Sequence, residues 1–80
     1  MSRFYFHLHE CGTVCTDEEG FELAGLGEAR TQAIAAARDV MSEEVLHGRL
    51  CLSCHIEIAD SAGATLLVVP FRDALTLSGL

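Results

Sequence analysis

The sequence predicts an α+β domain of order β-β-α-β-β: an antiparallel sheet of about four strands with one helix packed on one face. Three observations predict it. Residues 3–9 alternate apolar and polar, the period-2 pattern of a half-buried strand. From Glu28 the apolar residues fall instead at helical spacing. Two further apolar runs, 50–59 and 64–70, flank an Asp-Ser-Ala-Gly turn. Two strands, one helix and two strands in so short a chain make a two-layer domain.

The first strand, 3–9, puts Phe4, Phe6 and Leu8 on one face and Tyr5, His7 and His9 on the other. Glu10-Cys11-Gly12-Thr13 reads as its turn, because glycine reaches positive φ without a Cβ clash. A short strand, 13–16, then returns. With the turn centred on Cys11 and Gly12, Cys15 lies opposite Leu8 and faces the same way. Asp17-Glu18-Glu19-Gly20 is a charged loop, followed by the apolar anchors Phe21, Leu23 and Leu26. The helix spans 27–47. Its stripe is Ala29, Ala33, Ala36, Ala37, Val40 and Met41, and alanine is both the best helix former and small enough for close approach to a sheet. Gly48 suits the left-handed position that ends a helix. The strand 50–59 contains Cys51-Leu52-Ser53-Cys54-His55. Asp60-Ser61-Ala62-Gly63 turns the chain into the last strand, 64–70, which Pro70 ends or places at an edge.

Eighty residues, half of them apolar, form one domain (1–80) with a limited core. Five basic residues against twelve acidic ones give a net charge of −7. That charge repels phosphate backbones and anionic membrane surfaces, so neither nucleic acid nor membrane is an expected partner. No apolar run approaches a membrane span of about 20 residues. The opening residues have no secretory pattern, so a cytoplasmic location with reduced thiols is expected.

Several stretches together resemble a family of short bacterial proteins described as a domain of unknown function: Arg3-Phe4-Tyr5-Phe6-His7 at the start, the Asp17-Glu18-Glu19-Gly20 loop, the alanine-rich helix, and Pro70-Phe71-Arg72-Asp73-Ala74 at the end. The resemblance covers nearly the whole chain. It implies a stand-alone cytoplasmic domain and no defined activity. The chain departs from that family's pattern at Cys11, Cys15, Cys51 and Cys54, so a zinc or redox role would be particular to this member.

Four cysteines invite a metal reading. Cys11/Cys15 and Cys51/Cys54 are two pairs far apart in sequence, as in a split four-sulfur zinc site. Strand geometry opposes it. Residues three apart on a straight strand face opposite ways, so Cys51 and Cys54 share a site only if the chain bends between them. On a straight strand Cys54 joins Leu52, Ile56 and Ile58 in the core. A redox dithiol needs a helix N-terminus behind the motif, and here a strand pattern follows. The haem-attachment spacing of Cys51-x-x-Cys54-His55 has no export signal or haem pocket beside it. A catalytic reading would make His7 a general base, with no partner fixed by a motif. The acidic loop lacks the oxygen spacing of a calcium site.

The helix covers one sheet face only. The other face is expected to carry Tyr5, His7, His9, Val14 and one stripe of the last strand, assigned to Leu67 and Val69. Uncovered apolar surface of this kind marks interaction sites. The reading is therefore a non-enzymatic domain without cofactor, acting by protein–protein contact and forming a homodimer through Tyr5, His7, His9, Leu67 and Val69. The alternatives are a zinc module held by the cysteine pairs and a small enzyme centred on His7.

Overall fold

The protein is represented by a computed structural model that describes residues 1–79. It is α+β, with five strands and one long helix. The strands are β1 (Ser2–Glu10), β2 (Thr13–Cys15), β3 (Phe21–Leu23), β4 (His55–Ala59) and β5 (Thr65–Pro70), with α1 (Leu26–Leu46) between β3 and β4. A short 3-10 helix, Phe71–Ala74, follows β5. The sheet is antiparallel in the order β2-β1-β4-β5, and β3 pairs with the start of β1. No helix among the described residues is long and apolar enough to cross a membrane.

β1 and β2 pair Glu10 with Thr13 and Leu8 with Cys15, so Cys11 and Gly12 are the two turn residues and Gly12 takes a φ of 74°. The sequence predicts this hairpin and the register of Cys15. It does not predict β3, whose three residues are too few to show a period. Phe21 of β3 pairs with Phe4, and its ring meets Phe6 edge-on at 5.6 Å.

The core lies between α1 and the sheet. Ala29, Ala33, Ala37 and Met41 repeat every fourth residue and are buried against Phe4, Ile56, Ile58 and Val69. Phe71 is fully buried in the same cluster. α1 ends in a Schellman turn: Gly48, at φ 79°, donates to the carbonyl of Val45, and Arg49 donates to that of Glu44. This turn sends the chain back toward the sheet.

Two corrections follow. The strand expected over 50–59 begins only at His55. Its neighbours explain this: His55 pairs with His9 and with Pro70. Beyond His9, β1 enters its hairpin turn, and beyond Pro70 the chain coils into the 3-10 helix. Residues 50–54 have no ladder to join, and they bend instead. The second correction concerns β5. Val69 pairs with Ile56 and Leu67 with Ile58, so both face α1, and Val69 is buried. Leu66 and Val68 are the exposed apolar residues of that strand. The register shifts between Ile58 and Ala59, where Thr65 rather than Leu66 opposes Ala59.

Candidate functional site

The register of β1 with β4 builds the site. Because His9 pairs with His55, Cys54 lies beside the end of β1 and the hairpin tip. The bend at Leu52 and Ser53 then brings Cys51 back to the same place. The sulfurs of Cys11, Cys51 and Cys54 all lie within 4.8 Å of one another. Those of Cys11 and Cys51 are 2.9 Å apart, and Ser53 Oγ is 3.3 Å from the Cys51 sulfur. Cys54 is further fixed through its carbonyl, which accepts the Phe71 N–H at 2.9 Å.

The three thiols differ in surroundings. Cys11 is exposed, Cys51 is half-buried and Cys54 is buried. Hydrogen bonding from the Cys11 thiol, then from Cys54 and Ser53, lowers the Cys51 pKa to about 6. Burial first, and then the hydrogen bond to Cys51, pushes the Cys54 thiol up to about 12. Cys51 is thus poised as a thiolate beside a buried Cys54 that keeps its proton.

A cleft of about 320 Å³ opens over these sulfurs, lined also by Glu10, Glu44, Arg49 and Leu50. The Glu44 Oε1 atom is buried and has no hydrogen-bond partner. A buried carboxylate oxygen left unpaired is costly unless a cation or donor reaches it. A wider depression of about 840 Å³ runs along α1, past Glu28, Thr31, Gln32 and Asp39. It is open and gathers no reactive groups, so the sulfur cleft is the chemically distinctive one.

Cys15 stands apart from the cluster. It is exposed on β2, opposite Leu8. The four-cysteine set that the sequence offered as an alternative is thereby reduced to three, because the hairpin places Cys15 four residues back from the tip while Cys11 sits in the tip itself. The bend that straight-strand geometry argued against is present, and it lets Cys51 and Cys54 meet.

The other predicted site residues form a different neighbourhood. His7 Nδ1 accepts the backbone N–H of Asp17 at 3.1 Å. His9 Nε2 lies 3.3 Å from Glu57 Oε1, and its ring stacks on His55 with centroids 4.4 Å apart. Glu57 also accepts from the Thr65 hydroxyl, and these contacts hold its carboxyl below the usual range. Tyr5 shares this face, half-buried. Leu67 and Val69 are absent from it, as the register requires. Glu44, in the sulfur cleft, is a site residue that sequence reasoning passed over, and no local signal marks it. His55 sits on the open face, where the register of β1 with β4 stacks it on His9.

The family described as a domain of unknown function (DUF6894) matches residues 3–72. The chain belongs to this family. The match takes in all of the sheet but Ser2, together with α1 and the three clustered cysteines. No curated protein and no solved structure matches the chain.

Proposed function

We propose that this member of the family binds a soft metal ion, zinc foremost, through Cys11, Cys51 and Cys54, in a binding role without catalysis. The observation that carries the reading is the convergence of three sulfurs within 4.8 Å from two segments far apart in sequence. Four ligands at the usual Zn–S length of about 2.3 Å stand about 3.8 Å from one another in a tetrahedron. The close Cys11–Cys51 pair would open by about 1 Å, within the reach of side-chain rotation. Three thiolates leave a fourth position for water or a carboxylate, and Glu10 and Glu44 line the cleft. Cys54 would release its proton to solvent on binding the metal, which makes binding stronger as pH rises.

The test is titration of the reduced full chain with Co²⁺, following the sulfur-to-cobalt charge-transfer absorption, and displacement by Zn²⁺. One equivalent should bind. Cys51→Ser should weaken binding beyond the roughly 10–100-fold that outer-shell changes cause, while Cys15→Ser leaves it unchanged. A cobalt affinity left unchanged by Cys51→Ser would remove the reading.

A second reading, self-association, has its own observation. β5 is the sheet edge, pairs only with β4, carries no charged residue, and exposes Leu66 and Val68. Native edges are usually guarded by charge or by a bulge that twists them away. Here the guards are the register shift near Leu66 and Pro70 at the strand's end. A second copy pairing β5 to β5 about a two-fold axis would satisfy the open ladder and cover both side chains. Light scattering at micromolar concentration should give a dimer, and Val68→Lys a monomer. A monomer in both would end this reading.

A further inference from the structure

The pair Cys11–Cys51 has a geometry that the metal reading does not use. Three tetrahedral ligands would be evenly spaced, yet these two sulfurs lie 2.9 Å apart, in a contact where one thiol donates to the other. A covalent disulfide needs about 2.0 Å. The approach required is therefore about 0.9 Å, along a line the sulfurs already share. Ser53 Oγ adds a second polar contact, 3.3 Å from Cys51 and 3.9 Å from Cys11. Cys11 sits exposed in a two-residue turn, and the half-buried Cys51 lines the cleft by which a small oxidant reaches it. Cys54 is buried, and Cys15 lies elsewhere on β2.

We propose that Cys11 and Cys51 form a reversible intrachain disulfide when the domain meets a hydroperoxide, making the hairpin tip a thiol-oxidation site. The Cys51 thiolate attacks one peroxide oxygen. An S–O bond forms, the O–O bond breaks, and the alcohol (water, for hydrogen peroxide) leaves after taking a proton. The Cys11 sulfur then attacks the resulting sulfenic acid. The S–S bond forms, the S–O bond breaks, and the oxygen departs as water with the Cys11 proton. In sum, two thiols and one peroxide give one disulfide, one alcohol and one water. A small dithiol reverses the step by exchange. Once joined, the two sulfurs no longer serve as thiolate ligands.

This inference stands on the pair itself and holds for metal-free protein, so it is tested without metal. The full chain, reduced and then freed of metal with a chelator, is treated with hydrogen peroxide, alkylated, digested and mapped by mass spectrometry. Two of the four thiols should be lost to alkylation, in a peptide linking Cys11 to Cys51, and return with dithiothreitol. Cys11→Ser, a change at an exposed turn, should instead leave Cys51 as a sulfenic acid trapped by dimedone. A Cys51–Cys54 link, an intermolecular link, or four thiols still alkylatable would overturn the proposal. The cobalt titration reads the metal site separately, so either idea can fail alone.

Discussion

The loop Asp17–Gly20 and the sulfur cleft lie along the same strand and treat their polar groups in opposite ways. In the loop, the central carboxylate is fully engaged. Asp17 accepts the backbone N–H groups of Phe6, Glu19 and Gly20, and its own N–H goes to His7. Phe6 is the informative partner. β3 pairs with residues 2–4 of β1 and β2 with residues 8–10, so the Asp17 carboxylate fills the gap between them. Arg3 closes the outer side through the Glu19 carbonyl and the Glu22 carboxylate. In the cleft, three thiols crowd together and the Glu44 oxygen has no partner. A saturated network holds a fold in one arrangement. An unsaturated one is ready for a ligand. The difference shows His7 bonded into the loop's backbone network and the cysteines crowded around an unpaired carboxylate, although both look like reactive motifs in sequence.

The sharpest way to separate the two regions is to damage the loop. Gly20 has φ 71°, and a Cβ there would meet the Phe4 carbonyl oxygen at 2.9 Å and the Tyr5 ring at 3.0 Å. Gly20→Ala should therefore cost about 2 kcal/mol or more, from left-handed strain plus the clash. Chemical denaturation measures this. Cobalt affinity below the transition should stay unchanged, and a parallel loss would mean that the two regions are not independent.

A smaller effect is expected from Asp17→Asn. Burial pushes the Asp17 carboxyl up, but the backbone donors Gly20, Phe6 and Glu19 together outweigh it and hold the carboxyl below its ordinary 3.8. A depressed carboxyl contributes stability that is fully present above that ordinary value. It is lost as pH falls through the folded one. The variant should cost about 1–2 kcal/mol at neutral pH. Its melting temperature should converge on that of the parent below about pH 4. A constant gap across the acid range would show that charge is not what Asp17 supplies.

Much of this fold was legible in the residues, and the failures are specific. The hairpin at Cys11-Gly12, the span of α1 and the last strand all follow from period and turn chemistry. β3 escaped because three residues between glycine-bearing loops carry no period. The bend at Leu52-Ser53 escaped because Leu52, Cys54, Ile56 and Ile58 alternate as if the strand ran on. Alternation records which residues like a pleated surface, but a strand also needs neighbours to pair with. The hairpin turn and Pro70 end both neighbours at His55, a fact of pairing that no local window contains. Leu67 and Val69 were exchanged for Leu66 and Val68 for a similar reason, since a nearly continuous apolar run does not reveal its inner face.

Cys11 and Cys51 are 40 residues apart along the chain, and the segment between them contains β2, β3 and the whole of α1. Any bond that joins the two sulfurs ties half the polypeptide into a ring. By chain statistics, closing a loop of that length removes about 4 kcal/mol of configurational freedom from the denatured ensemble. For a domain of this size that is a large fraction of the total stability. Oxidation would then act on the lifetime of the protein as well as on its cleft: the cross-linked form would open more rarely and offer proteases fewer unfolded chains to cut.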